Sequence, residues 1–321
     1  MSEIAGVKRI AVIGAGTIGA SWAALFLARG LDVVANDVGE GGEQTLRLLV
    51  DKAWPALTAL GLAPDASRSR LRYETRLEEA CVGADFVQEC ATEREEMKVS
   101  LIAAIDANLP PDVIIASSSS AFTVTKMQER CRHPERVVLG HPFNPPHLMP
   151  LVEIVGGERT SPEVVDRATA FYRALDKAPV RLSKEVYGHV ANRIQAAVFR
   201  EAIHLLNSGV AGLEEIDRAI TDGPGLRWAL MGPFLTYHLA GGHGGMEAFM
   251  KQFAPMQERL WSELGTPRID AAVQQKVTDA MRAVAGDEPI EDVVARRDRS
   301  LIGLLKARQE LAHDEDAAKT R

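Results

Sequence analysis

The chain has 321 residues, a length that suits two domains better than one. Its hydrophobic fraction of 46% and charged fraction of 25% are those of a globular protein and exclude wholesale disorder. The formal net charge of -7 argues against nucleic acid as the main partner, whereas a small anionic substrate would need only a local positive site.

The first half of the chain alternates apolar, β-rich runs with helical patterns. The runs occupy residues 8–13, 33–36, 85–88, 113–116, 137–139, 151–155 and 180–182. Residues 95–107 have helical spacing, and Ser161 followed by Pro162 is typical of a helix start. Near-continuous apolar strands separated by helices predict a doubly wound parallel sheet that is covered on both faces.

Strand-like runs stop after about residue 184, and helical patterns take over. These patterns occupy residues 190–207, 214–220, 245–263, 271–285 and 293–310. We therefore predict an α/β domain over residues 1–186, followed by an all-α domain over residues 187–321.

Two features bear on where the protein works. Cys81, Cys90 and Cys131 form no CxxC pair and are odd in number, so a disulfide scaffold is not expected and the cytoplasm is the expected location. Residues 10–28 carry no charge and superficially resemble a membrane span. Their closely spaced glycines indicate a strand, a turn and a helix instead, so no membrane segment is expected.

Three glycines follow the first predicted strand in the spacing of a dinucleotide-binding turn. Gly14 permits the tight turn, Gly16 lets the backbone approach a pyrophosphate, and Gly19 lets the next helix pack on the strand. The turn opens an apolar helix over residues 21–28, whose N-terminus offers oriented N–H groups to phosphates, and Thr17 and Ile18 of the turn are further candidates for cofactor binding. The order of strand, turn and helix disfavours a turn without a ligand, so the first domain is predicted to be a Rossmann-type NAD-binding domain.

An acid ends the second predicted strand. Asp37 could accept hydrogen bonds from both hydroxyls of a ribose and would repel a 2′-phosphate. This position predicts NAD rather than NADP, and the alternative is an ordinary solvated aspartate.

A proline-rich loop and an acid in an apolar strand suggest a catalytic pair. His141 opens the loop, and Glu153 lies in a strand where a carboxylate is costly unless it is paired. Such a pair would fix the tautomer of His141, as general acid–base catalysis requires. A loop histidine and a strand-edge acid are an equal alternative. Prolines separate His133, His141 and His147, so no metal site is expected.

Over nearly its whole length the chain resembles the 3-hydroxyacyl-CoA dehydrogenase superfamily. The resemblance is carried by a His-x-x-Asn-Pro loop at residues 141–145, a Leu-Val-Glu strand at 151–153, a serine-rich turn at 116–120, and Gly-x-x-x-Asn-Arg at 188–193. It implies a Rossmann-type α/β domain followed by an all-α domain, with NAD as the cofactor.

The same resemblance implies roles for individual residues. His141 matches the family's general acid–base, and Glu153 matches its orienting carboxylate. Ser120 matches the serine near the substrate hydroxyl, and Asn192 the asparagine near the reacting carbon. Three further positions are implied beside the cofactor: Glu93, Lys98 and Asn144.

Within the superfamily, two groups are similar to this chain. Residues 225–234 and 236–237 resemble the carnitine dehydrogenases, whereas residues 117–120 and 141–146 also resemble λ-crystallin, or gulonate 3-dehydrogenase. The four consecutive serines at 117–120 replace the Ser-Asn-Thr-Ser of the acyl-CoA enzymes, which argues against a CoA thioester substrate.

Candidate substrate contacts lie in the helical half. Trp228, Phe234 and Tyr237 are either packing core or an aromatic wall for a quaternary ammonium group. Arg193 and Arg227 either bind the substrate carboxylate or form surface ion pairs.

We therefore expect an NAD-dependent dehydrogenase that oxidises the 3-hydroxyl of a small free 3-hydroxy acid to the 3-oxo acid. Carnitine is the first expected substrate, a sugar acid such as gulonate the second, and a 3-hydroxyacyl-CoA the third. The alternative of another class is a non-catalytic, crystallin-like NAD-binding protein, against which the intact His141 and Glu153 count. A homodimer formed through the helical domain is expected.

Overall fold

The structure is a computed structural model that describes residues 4–319, with side chains through residue 311. The strands are β1 (Arg9–Ile13), β2 (Asp32–Asn36), β3 (Leu71–Glu74), β4 (Phe86–Glu89), β5 (Ile114–Ser117), β6 (Val137–Pro142), β7 (Leu151–Gly156) and β8 (Ala178–Arg181). They form one sheet in the order β3-β2-β1-β4-β5-β6-β7-β8.

Helices alternate with these strands and then continue alone. Those between the strands are α1 (Thr17–Ala28), α2 (Gly42–Leu60), α3 (Leu77–Cys81), α4 (Glu95–Ala107), α5 (Val124–Met127) and α6 (Pro162–Ala174). Those after the sheet are α7 (Ala191–Asn207), α8 (Leu213–Thr221), α9 (Pro224–Trp228), α10 (Pro233–Ala240), α11 (Gly245–Glu263), α12 (Ala271–Ala285) and α13 (Ile290–Lys319). The predicted class, a doubly wound α/β sheet followed by helices, is confirmed.

The strand order places a ligand-binding crevice at the middle of the sheet. β1 pairs in parallel with β2 on one side and with β4 on the other, so the winding direction reverses there. Open α/β sheets bind ligands at such a reversal, outside the carboxyl ends of the strands. The loops that follow β1, β4, β5 and β6 all lie at this edge, because these strands are parallel.

Two strands depart from the predicted parallel sheet, because β8 pairs in parallel with β7 and so shares its reversed direction. β7 pairs antiparallel with β6, and the pairing sets His141 directly opposite Glu153. Only a loop joins the two strands, whereas a parallel pair needs a crossover that is usually helical. The prediction of an all-parallel sheet was wrong at this point.

Some elements carry no clear sequence pattern. β3 lies at the edge of the sheet and has the sequence Leu-Arg-Tyr-Glu, in which only Leu71 is buried. It therefore lacks the apolar run that marked the central strands. α2 and the short helices α9 and α10 were also missed.

Apolar side chains cover both faces of the sheet. α1, α2 and α6 pack on one face, where Phe86 stacks on Phe171 with ring centroids 4.2 Å apart. α3, α4 and α5 pack on the other face through aliphatic residues such as Ile102 and Ile105. Each fully buried side chain of this size contributes about 1.5–3 kcal/mol, so the sheet is a firm base for the loops at its edge.

Backbone contacts group the chain into two compact units. The first comprises Met1–Asn192 with Arg296–Ala307, and the second comprises Arg193–Ala295 with Arg308–Arg321. Within the described residues, no helix combines the length and apolarity needed to cross a bilayer.

Candidate active site

The glycine-rich turn after β1 has the geometry of a dinucleotide cradle. Gly14 has φ +98°, and a Cβ there would come within 2.6 Å of the backbone at Cys90 and Ala91. A Cβ on Gly19 would collide with the Gly14 carbonyl, so α1 approaches the turn closely. At Gly16, by contrast, a Cβ would meet nothing within 4 Å. The turn is thus closed on the protein side and open where a pyrophosphate would approach the N-terminus of α1.

Asp37 follows β2 and is tied to this turn. Its Oδ2 accepts a hydrogen bond from the Ala15 N–H at 2.8 Å, and its Oδ1 accepts one from the Gly39 N–H at 3.0 Å. The side chain is half-buried. A carboxylate held beside the glycine turn fits the ribose of a dinucleotide, so the residues present suit NAD.

His141 and Glu153 form a buried pair across β6 and β7. The His141 Nδ1 and Glu153 Oε2 atoms are 2.9 Å apart, and the residues are only 4% and 1% exposed. Burial alone would raise the pKa of Glu153, but hydrogen bonds from His141 and from the N–H groups of Ala191 and Val190 outweigh it and hold this pKa below its usual value. An ionised Glu153 requires the proton on Nδ1 of His141, which leaves Nε2 as an acceptor.

The serine-rich turn after β5 is held by an acid from the next loop. Glu93 Oε1 accepts hydrogen bonds from the Ser119 hydroxyl and, at 3.0 Å, from the Ser120 N–H. The Ser120 carbonyl in turn accepts a hydrogen bond from Asn192 Nδ2 at 3.4 Å. The structure therefore brings Ser120, Asn192 and Glu93 together.

A buried ion-pair network lies beneath this turn. Lys98 is 1% exposed, and its Nζ lies 2.8 Å from Glu89 Oε1 and 3.4 Å from Glu93 Oε2. Burial alone would lower the pKa of Lys98, but Glu89 and Glu93 raise it above its usual value. Glu89 Oε2 accepts a hydrogen bond from the Ser117 hydroxyl at 2.5 Å. The network therefore fixes the serine turn to the end of β4.

Sequence reasoning missed Glu89. It ends the buried strand β4 and is 0% exposed, so the argument that singled out Glu153 applies to it equally. Asn144 is exposed and lies in the loop between β6 and β7, which is the predicted proline-rich loop.

The remaining predicted substrate residues lie in the second compact unit. Trp228, at the end of α9, is 42% exposed, and Phe234 and Tyr237 on α10 are 81% and 41% exposed. Tyr237 stacks on Phe249, with ring centroids 4.7 Å apart. These exposures do not fit a packed core within this unit. Arg227 on α9 is also exposed, and Arg193 lies in the first turn of α7.

Comparison with known proteins defines the class. The 3-hydroxyacyl-CoA dehydrogenase NAD binding domain matches residues 9–186, and the 3-hydroxyacyl-CoA dehydrogenase C-terminal domain matches residues 188–278. The protein is thus an NAD-dependent dehydrogenase. It belongs to the 3-hydroxyacyl-CoA dehydrogenase family.

Full-length relatives agree with this assignment. L-carnitine dehydrogenase of Streptomyces coelicolor is 46% identical over 317 residues, which cover 99% of this chain and 100% of that enzyme. L-carnitine dehydrogenase of Pseudomonas putida is 47% identical over 307 residues, which cover 96% of each chain. The crystal structure of 5-formyl-3-hydroxy-2-methylpyridine 4-carboxylic acid 5-dehydrogenase, an NAD+ dependent dismutase, has a TM-score of 0.82 at 30% identity, covering 94% of this chain and 98% of that one.

Proposed function

We propose that this dehydrogenase oxidises the 3-hydroxyl of a small free 3-hydroxy acid, and that L-carnitine is its substrate. The observation that carries the proposal is the buried His141–Glu153 pair, which lies at the same end of the sheet as the glycine turn. The support for carnitine is the near-complete alignment with L-carnitine dehydrogenases.

In this proposal the pair acts as a general base. His141 Nε2 accepts the proton of the substrate hydroxyl, while Glu153 keeps Nδ1 protonated and stabilises the charged imidazole. Ser120 and Asn192 hold the reacting oxygen and carbon in place. NAD, when bound, would accept the hydride that leaves the same carbon.

The geometry of the first unit supports the assignment of the cofactor residues. The glycine turn and the N-terminus of α1 would bind the pyrophosphate, and Asp37 the ribose hydroxyls. Glu93 and the buried Lys98 would shape the floor of the nicotinamide end, with Asn144 beside it. Residues 1–186 are proposed as the NAD-binding domain, and residues 187–321 as the domain for substrate binding and dimerisation.

The far end of the substrate stays a sequence-based prediction. A trimethylammonium group donates no hydrogen bonds, so it is bound by aromatic faces and shape. Trp228, Phe234 and Tyr237 are assigned to it, and Arg193 and Arg227 to the carboxylate.

We also propose a cytoplasmic homodimer. The helices after the sheet leave large apolar side chains exposed, among them Leu235, Leu260 and Trp261, at 50%, 54% and 65%. Exposed apolar surface of this kind is typical of an interface. Sedimentation of the purified protein at several concentrations would test this, and a monomer throughout would contradict it.

A substrate panel tests the proposed activity. NADH formation is measured with L-carnitine, gulonate, 3-hydroxybutyrate and 3-hydroxybutyryl-CoA. We expect the highest kcat/KM for L-carnitine. A higher value for gulonate or for the thioester would overturn the substrate assignment, and NAD binding without turnover on any of them would favour a non-catalytic protein.

A further inference from the structure

His189 is a buried residue that neither the sequence analysis nor the proposed mechanism uses. It precedes α7 and is only 2% exposed. Its backbone is left-handed, with φ +51°, and the preceding residue, Gly188, is left-handed as well with φ +74°. A histidine in this region costs of order 1–3 kcal/mol relative to a relaxed backbone, and such strain clusters at functional sites.

The ring of His189 is bound on one side only. Its Nε2 lies 3.0 Å from the carbonyl oxygen of Ser119, in the serine turn. A carbonyl only accepts, so Nε2 is the nitrogen that carries a proton. Nδ1 is buried with no hydrogen-bond partner among the described residues. Burial holds the pKa of His189 below its usual value, although the bond to Ser119 opposes this shift.

The surroundings of His189 are the catalytic pair and the serine turn. Its ring centroid lies 5.0 Å from that of His141, at an interplanar angle of 49°. The next two residues, Val190 and Ala191, donate their N–H groups to Glu153. One short segment therefore contacts both members of the pair and the turn that carries Ser120.

Stability does not explain an imidazole at this position. Glycine or asparagine would adopt the left-handed backbone with less strain. An apolar ring would avoid the unpartnered nitrogen, which costs of order 1–3 kcal/mol. Unlike these alternatives, the imidazole provides an N–H donor that reaches the serine turn from a ring packed beside His141.

We propose that His189 is a positioning residue that fastens the serine turn to the His141–Glu153 pair and so sets the distance between Ser120 and His141. This role rests on the proposed dehydrogenase function of that pair. His189 touches neither hydride nor proton, and acts only through the residues that it aligns.

The test compares two substitutions of His189 with a control. His189→Phe keeps a ring but removes the donor, and His189→Gln keeps a donor. His133→Phe is the matched control, because His133 is a surface histidine with a side chain 43% exposed. For each protein, kcat, KM and the Kd of NAD are measured with the best substrate of the wild type. Amide hydrogen exchange of the peptide spanning residues 117–124 is followed in parallel.

We expect His189→Phe to lower kcat by about 10-fold or more, with the Kd of NAD changed less than about two-fold, because only alignment is lost. Exchange in the serine turn should accelerate, and His189→Gln should recover part of both effects. A kcat equal to that of His133→Phe would overturn the proposal, and so would equal losses in kcat and NAD affinity. A wild type that oxidised no 3-hydroxy acid would contradict the proposed function. Unchanged amide exchange in His189→Phe would separately contradict the proposal that His189 holds the serine turn.

Discussion

At the residue scale, the proposed mechanism depends on the His141–Glu153 pair. His141→Gln should leave NAD binding nearly intact and lower turnover by about 100-fold or more, the usual range for loss of a general base. Glu153→Gln should act in the same direction, because it removes the charge that keeps Nδ1 of His141 protonated. The double variant should be little worse than the worse single variant, since the two residues work as a unit. Steady-state kinetics of the three variants check this, and a double effect equal to the product of the single effects would contradict it.

Asp37 combines two tasks that substitutions can separate. Asp37→Asn retains an oxygen for the Ala15 N–H but loses the charge, whereas Asp37→Ala loses both. We expect both variants to discriminate less against NADP, because the repulsion of the 2′-phosphate is gone. NAD should bind more weakly to Asp37→Ala than to Asp37→Asn. Unchanged kinetics with both cofactors in both variants would remove Asp37 from the site.

Trp228 tests the prediction for the trimethylammonium group. Trp228→Ala should raise the KM for L-carnitine about 10-fold, equivalent to ~1.4 kcal/mol, and should affect 3-hydroxybutyrate far less. Trp54→Ala, which removes a partly buried tryptophan of α2 in the first compact unit, serves as the control. Equal losses on the two substrates would mean that Trp228 has only a packing role.

At the element scale, the sequence predicted the elements that have a regular hydrophobic spacing or an unbroken apolar run. α11 and α12 begin and end at the predicted residues, and the central strands lie within one to three residues of theirs. β3 was missed because an edge strand needs no apolar run. The directions of β7 and β8 were wrong because strand patterns do not encode direction.

In the candidate site, too, some features could be predicted from the sequence and others could not. The sequence predicted the glycine turn, Asp37 and the His141–Glu153 pair, because each couples a residue type to a position in a motif. The role of Lys98 as the partner of Glu89 depends on which side chains meet in three dimensions. The left-handed backbone of His189 and its contact with Ser119 have no sequence signature either.

At the scale of the first compact unit, one cluster joins α1 to the loop between β6 and β7. The Ser21 hydroxyl on α1 contacts Nδ1 of His147 at 2.8 Å and accepts a hydrogen bond from the His147 N–H at 2.9 Å. Lys177 donates hydrogen bonds to the carbonyls of Pro146 and Met149, and burial lowers its pKa to about 7. We therefore expect the stability of this cluster to depend on pH.

His147 makes this dependence testable. Burial lowers the pKa of His147 from its usual 6.5 to about 4, so between these values the unfolded chain binds more protons than the folded one. The stability that is present above pH 6.5 is thus lost as the pH falls towards about 4, by up to about 1.4 kcal/mol per pH unit. His147→Asn should flatten the fall in the free energy of unfolding over this range, measured by urea denaturation at several pH values. The surface control His133→Asn should not flatten it, and identical slopes in all three proteins would contradict the prediction.

For the whole molecule, the proposed reaction transfers a hydride from C3 of L-carnitine to NAD, with the His141–Glu153 pair as the base. The most direct measurement uses L-carnitine that carries deuterium at C3 and follows the label by mass spectrometry of the reduced cofactor. We expect NADH formed by the wild type to carry the deuterium, and His141→Gln to transfer the same label at least about 100-fold more slowly. Reduced cofactor without deuterium, or no reduction of NAD by L-carnitine at all, would contradict it.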